Sequence, residues 1–158
     1  MDEINYEKMS VEQNELIGMD QDKGDLWITV DSGASENVIS ESLAPKIQTR
    51  TSAESVNGIK YVTANGSIMN NQGEKEVRVT TKEGHKCVLK MQVTDVKKPL
   101  MSVSRICDAG HKVIFTKKGG FSEHEISGQR TGFDRIDNVY RLKVNLAHEV
   151  LDFNRRGR

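Results

Sequence analysis

A carboxylate, a hydroxyl and a glycine stand in a row at Asp31-Ser32-Gly33. A carboxylate so placed can act as general base on a water, and in its protonated form it can donate to a carbonyl oxygen. Peptide hydrolysis by this route needs two carboxylates sharing one proton, because two close like charges cannot both ionise. Asp31 is the candidate catalytic residue. Ser32 offers a hydroxyl for a lateral hydrogen bond, and Gly33 is expected to fold the backbone beneath the carboxylate at positive φ. Ala34 and Ser35 continue the loop as candidate substrate contacts. No second Asp-Ser-Gly or Asp-Thr-Gly occurs in the 158 residues, and the nearest echo, Asp108-Ala109-Gly110, lacks the hydroxyl. The length suits one domain, and no internal repeat supplies a second lobe. A catalytic form must therefore be a symmetric homodimer, with one Asp31 from each copy.

The strand that must hold Asp31 is legible just before it, where Leu26, Ile28 and Val30 fall on one face. Val38-Ile39 reads as a short returning strand, and Leu43-Ala44-Pro45 as a turn or brief helical piece. Residues 59–79 place two strand-like arms around Asn65-Gly66, a hairpin signal because both residues tolerate positive φ. The hairpin is either a plain surface turn or a flap that folds over an extended substrate. As a flap it offers Ala64, Asn65, Gly66, Ser67, Ile68 and Met69 to the substrate, with Leu100 and Met101 as the wall beneath. Residues 87–93 alternate, with Leu89, Met91 and Val93 on one face and Lys90 and Gln92 on the other. Residues 105–109 suit a helix stopped by Gly110. A strand follows at 112–116, a turn at Gly119-Gly120, and weaker strand signals at 123–126 and 139–144. Leu146, Val150 and Phe153, with Ala147 and Leu151, line one side of a predicted final helix. The balance is mainly β with one or two short helices, and two prolines and thirteen glycines suit a compact β barrel.

Composition narrows the function classes. Lysine plus arginine equals aspartate plus glutamate at 23 each, so global charge favours neither nucleic acid nor a membrane surface. No apolar run has the length of a membrane span, and no signal peptide is recognisable, so a soluble, cytoplasmic protein is expected. Cys87 and Cys107 lack metal-ligand spacing and are expected as reduced core residues; no metal or cofactor is called for. Residues 1–25 hold eight acidic and two basic side chains. Residues 1–23 read as a flexible acidic arm or a flanking piece of a longer precursor, 24–145 as the domain, and 146–158 as the helix and a basic tail.

Three stretches in order give the chain a likeness to a known family. They are residues 28–35 (Ile-Thr-Val-Asp-Ser-Gly-Ala-Ser), residues 62–67 (Val-Thr-Ala-Asn-Gly-Ser), and residues 99–115, which run from Pro99-Leu100-Met101-Ser102-Val103-Ser104 through Ala109-Gly110 to Phe115. Together with Asn138-Val139-Tyr140-Arg141-Leu142 they resemble a retropepsin, and more closely the protease domain of copia-type LTR retrotransposon polyproteins. The resemblance implies a closed β barrel active as a symmetric homodimer, an aspartic endopeptidase whose substrate is an extended peptide within its own polyprotein. Its dimer contacts would be the Asp31 loop, the flap tips and terminal segments. The chain departs from retroviral members at Ser102, where they carry glycine, and at Ser35 and Val103, where they tend to pair an acid with an arginine. Both partners are missing together, so no charge is stranded, and Glu36 or Arg105 is the candidate replacement. Two other readings stay open: a domesticated cellular protease of the ubiquitin-shuttle type, and a non-catalytic dimerisation or peptide-binding module on the same fold. No zinc knuckle or clustered basic patch supports nucleic-acid binding.

Overall fold

The computed structural model describes residues 24–63 and 65–146. The predicted acidic arm, nearly all of the predicted final helix, the basic tail and Ala64 lie outside the described residues. The described residues are mainly β, with two short helices among them. In chain order the elements are β1 (Asp25–Asp31), β2 (Val38–Ile39), α1 (Ala53–Val56), β3 (Lys60–Val62), β4 (Ile68–Asn70), β5 (Gly73–Thr81) and β6 (Lys86–Val93). Then come β7 (Leu100–Ser102), α2 (Val103–Asp108), β8 (His111–Thr116), β9 (Gly119–His124), β10 (Arg130–Ile136) and β11 (Val139–Asn145).

Nine strands form one sheet in the order β1-β7-β2-β6-β5-β11-β10-β9-β8, and β11 also pairs with β1. Five pairings therefore lead from β1 round to β11 and a sixth returns to β1, while β8, β9 and β10 form an antiparallel meander running off β11. The strand β11 serves three partners: residues 139–141 pair with β10, residues 144–145 with β5, and residues 141–145 with β1. β3 and β4 stand apart as a two-stranded sheet.

The core follows the alternation. Leu26, Ile28 and Val30 of β1 meet Val77, Val79, Met91, Val93, Met101, Leu142 and Val144 in the main apolar cluster. Burial of each such side chain stabilises by about 1.5–3 kcal/mol, so the cluster is what fixes register. One core position on β5 is a lysine. Lys75 is fully buried, and its ammonium donates to the carbonyl oxygens of Glu41, Leu43 and Ala44 at 2.9, 3.0 and 3.2 Å. Burial pushes its pKa down, with Glu41 pulling the other way. These three bonds hold the turn at 41–44, where Ala44 takes a φ of +50.

Several expectations change. Gln92, placed with Lys90 on the outer face, is buried, because it is held by an asparagine side chain described below. Cys107 is exposed on α2, since that helix buries none of its residues; Cys87 is half-buried against the core. Gly119-Gly120 does not turn the chain but opens β9. There a Cβ on Gly120 would meet the backbone of Ile114, so the two strands can approach only without a side chain. Leu146, expected to begin a helix, is buried in the main core, and its amide donates to the Gly24 carbonyl.

Candidate active site

The Asp31 loop is built from β1 outwards. Ile28 and Val30 point to the core, so Thr29 and Asp31 fall on the opposite face. β7 runs parallel to β1, pairing Thr29 with Leu100, Val30 with Met101 and Asp31 with Ser102. On its other side β7 pairs antiparallel with β2 through Leu100 and Val38. β7 thus lies between the two strands that the loop connects. Asp31 is only 9% exposed, and its Oδ1 accepts from the Gly33 amide at 2.8 Å. Gly33 is not among the residues at positive φ. The carboxylate closes the turn by accepting that amide, so no left-handed backbone is required. Ser32 and Ser35 are exposed and Ala34 is half-buried.

Ser102 and Asn37 clamp the loop from below. The Ser102 hydroxyl donates to the Ala34 carbonyl at 2.7 Å, and its amide donates to Asn37 Oδ1 at 2.8 Å. The Asn37 carbonyl accepts from the Gln92 amide, tying the loop onto β6. Ser102 also caps α2, accepting from the Arg105 amide at 3.3 Å. Arg105 reaches back to Glu36 at 2.8 Å, so the two residues offered as replacements for the missing acid–arginine pair bond each other beside the loop. The contact is partly exposed and contributes at most about 1 kcal/mol.

The predicted hairpin is β3–β4, with Lys60, Tyr61 and Val62 opposite Asn70, Met69 and Ile68. Of Asn65 and Gly66, only Gly66 takes positive φ, at +83. Its amide donates to Thr63 O at 3.0 Å, and Asn65 Oδ1 accepts from the Ser67 amide at 3.0 Å. The inner face of the hairpin meets the loop. Tyr61, Met69 and Ala34 pack on a small apolar cluster of Val38, Val96 and Leu100. Two candidate wall residues fall elsewhere. Met101 pairs with Val30 and belongs to the main core, because neighbouring strand residues face opposite ways. Ile68 is 65% exposed on the outer side of the hairpin, across from Val62. The wall beneath the hairpin is therefore Leu100 with Val38 and Val96.

Sequence reading missed the residue that seats the hairpin. Asn71 is buried; its side-chain amide donates to Tyr61 Oη at 3.0 Å and Gln92 Oε1 at 2.9 Å, and its Oδ1 accepts from the Gly73 amide at 2.8 Å. Burial pushes the Tyr61 hydroxyl up, and the Asn71 bond works against that. In sequence Asn71 is one of two adjacent asparagines before a glycine, a turn signal that hides the buried role.

Two buried cations were also missed. Lys98 is fully buried, and burial, with the Arg141 charge behind it, pushes its ammonium down to about 8 against the pull of Asp31. Arg141 is 1% exposed; burial lowers its pKa and Asp137 opposes this. Neither stands out locally, since one lies in a Lys-Lys-Pro turn and the other in an ordinary strand.

Comparison with known proteins finds no match among family models, curated proteins or solved structures. Among the described residues no three histidine, cysteine, aspartate or glutamate side chains gather to hold a metal ion. No helix among them is long and apolar enough to cross a membrane. What the geometry offers is one constrained carboxylate at a strand end, with an apolar wall beside it and a hairpin over that wall.

Proposed function

We propose that the chain is an aspartic endopeptidase acting as a homodimer. One observation carries the reading: Asp31, at the end of β1, is held in a turn clamped by β7, on the face where the β3–β4 hairpin packs against Leu100. One Asp31 carboxylate takes a proton from a bound water, and the protonated Asp31 of the second copy donates to the scissile carbonyl oxygen. Each chain supplies half of the dyad, so the reaction needs two copies. Ser32, exposed in the single chain, is free to bond across the two-fold axis, and the hairpin acts as the flap, closing over substrate and excluding water. The return of the strand pairings to β1 supports a closed retropepsin-like barrel. With the motif likeness, this favours a copia-type enzyme that processes its own polyprotein in the cytoplasm or in particles there. No metal, cofactor or nucleic acid enters the mechanism.

The test is a peptide library read by mass spectrometry, with wild type and Asp31→Asn side by side and enzyme diluted through its dimer dissociation constant. Cleavage beside large apolar residues, lost in the variant and falling steeply on dilution, is the expected result. Activity that survives Asp31→Asn rejects the mechanism; specific activity flat on dilution rejects the shared site.

A further inference from the structure

Of the nine strands in the main sheet, β8 alone has a single described partner, β9. The strands nearest the chain ends offer no edge in its place, because β1 and β11 each have partners on both sides. Which groups of β8 face outwards follows from two contacts. The Gly110 carbonyl accepts from the Glu125 amide at 2.9 Å, and a Cβ on Gly120 would run into the Ile114 carbonyl oxygen. The backbone groups of 110, 112 and 114 therefore point towards β9. Sides alternate along a strand, so the amides and carbonyls of His111, Val113 and Phe115 point the other way. No described residue bonds them. Bare edges are usually blunted by proline, a bulge or a free lysine. β8 has no proline and pairs with β9 in unbroken register, and its one lysine, Lys112, is held by Glu123 at 2.8 Å. Phe115 is 39% exposed on this edge strand.

The geometry points to β8 as the strand on which a second copy of this chain docks, edge to edge and antiparallel, about a two-fold axis at Val113. The inference rests on the proteolytic reading, which needs two copies, and deepens it by naming the surface that joins them. With Val113 opposite its own counterpart, His111 faces Phe115 of the second copy, and every outward amide and carbonyl of the three residues finds a partner. Sliding one strand by two residues leaves a third of them unpaired. In the full register Lys112 lies opposite Ile114, so no like charges meet across the axis. The helix α2, about 9 Å long, is all that separates Ser102, beneath the Asp31 loop, from the turn into β8. The edge and the catalytic loop are thus joined through one short rigid element.

Sedimentation of the full chain carrying Asp31→Asn reads dimer affinity apart from hydrolysis. Adding Val113→Pro removes the central outward amide, which the single chain does not use, at a position where edge strands accept proline. Each copy loses one bond, and dimer affinity should fall about tenfold to a hundredfold. Hydrogen exchange gives the finer readout. The Val113 and Phe115 amides should be protected in the dimer and exchange freely on dilution to the monomer, while those of Lys112 and Ile114 stay slow in both. Should Val113→Pro fail to fold, that exchange pattern in the Asp31→Asn chain decides alone. A chain that stays monomeric, a dimer whose affinity survives Val113→Pro, or Val113 and Phe115 amides equally fast at every concentration overturns the interface. A dimer that Val113→Pro weakens, in a chain whose wild type cleaves no peptide, upholds the interface and removes the protease.

Discussion

The Asp31 loop and the β3–β4 hairpin face each other across one apolar cluster, yet they are held in opposite ways. The loop is bonded to β6 through Asn37, to β7 through Ser102 and to α2 through the same serine. Among the described residues the hairpin pairs only with itself, and its base is seated by Asn71 and by Thr94 Oγ1 on the Asn70 carbonyl. Hydrogen bonds that end in the main sheet open only when that sheet opens, whereas a two-stranded ribbon can move on its stem. Chemistry that needs a fixed carboxylate and a cover that lifts is served by this division.

The largest effect should come from the fixed side. Asp31→Asn keeps the shape of the turn but cannot serve as base, so hydrolysis should vanish while the unfolding midpoint stays near wild type; residual turnover in purified variant would break the assignment. Asn71→Leu tests the stem. It strands the Gly73 amide and frees Tyr61 and Gln92, and chemical denaturation should show a loss of about 2–4 kcal/mol. Gly66→Pro tests the tip. Proline cannot adopt φ of +83 and removes the amide that donates to Thr63. Turnover should fall about tenfold to a hundredfold, as misplacement of a positioning element does. Global stability should change by no more than about 1 kcal/mol, because the tip can rearrange without opening the main sheet. Equal peptide cleavage by this variant would return the hairpin to a plain surface turn.

A different signal is a slope beneath the loop. Lys98 has its pKa lowered in the fold to about 8 from 10.5. Between those values the unfolded chain binds more protons at this site, so its contribution to stability rises with pH across that window. Below about 8 the cost of burying the charge is fully in force. The stability difference between wild type and Lys98→Met should therefore shift in favour of wild type from pH 8 towards 10. A parallel pair of curves would place the ammonium in a wetter setting.

What the sequence revealed was local. The Leu26-Ile28-Val30 alternation announces β1, Asn65-Gly66 announces the hairpin, and Gly110 ends α2 as expected, with a φ of +87. What stayed hidden depends on partners far along the chain. Gln92 alternates with Met91 as an outer residue should, and only Asn71, twenty-one positions earlier, makes it an inner one. β10 was missed because Gly132 interrupts its pattern and Phe133 is its only buried residue. Arg141 reads as the solvent face of a strand until β11 is laid beside β1. In the site itself the loop was legible, but the wall was half right. Leu100 and Met101 are equally apolar, and only the parallel register with β1 decides which of them faces Asp31.

The pairing of β1 with β11 has a topological consequence. Asp25 lies opposite Asn145, and Leu146 bonds Gly24, so the two ends of the described domain meet at one point of the sheet. The linear order of the strands is then a convention of where the chain happens to be opened. A circular permutant that joins 146 to 24 by a few glycines, with new ends cut in the exposed turn at Ile126 and Ser127, keeps every strand pairing. Such cuts at exposed turns are the ones folds accept. The permutant would also turn the β1–β11 contact, which now spans nearly the whole domain, into a hairpin between neighbours. The same cut parts β9 from β10, whose hairpin then spans the chain, so one long-range pairing replaces another and the permutant should refold at about the natural rate.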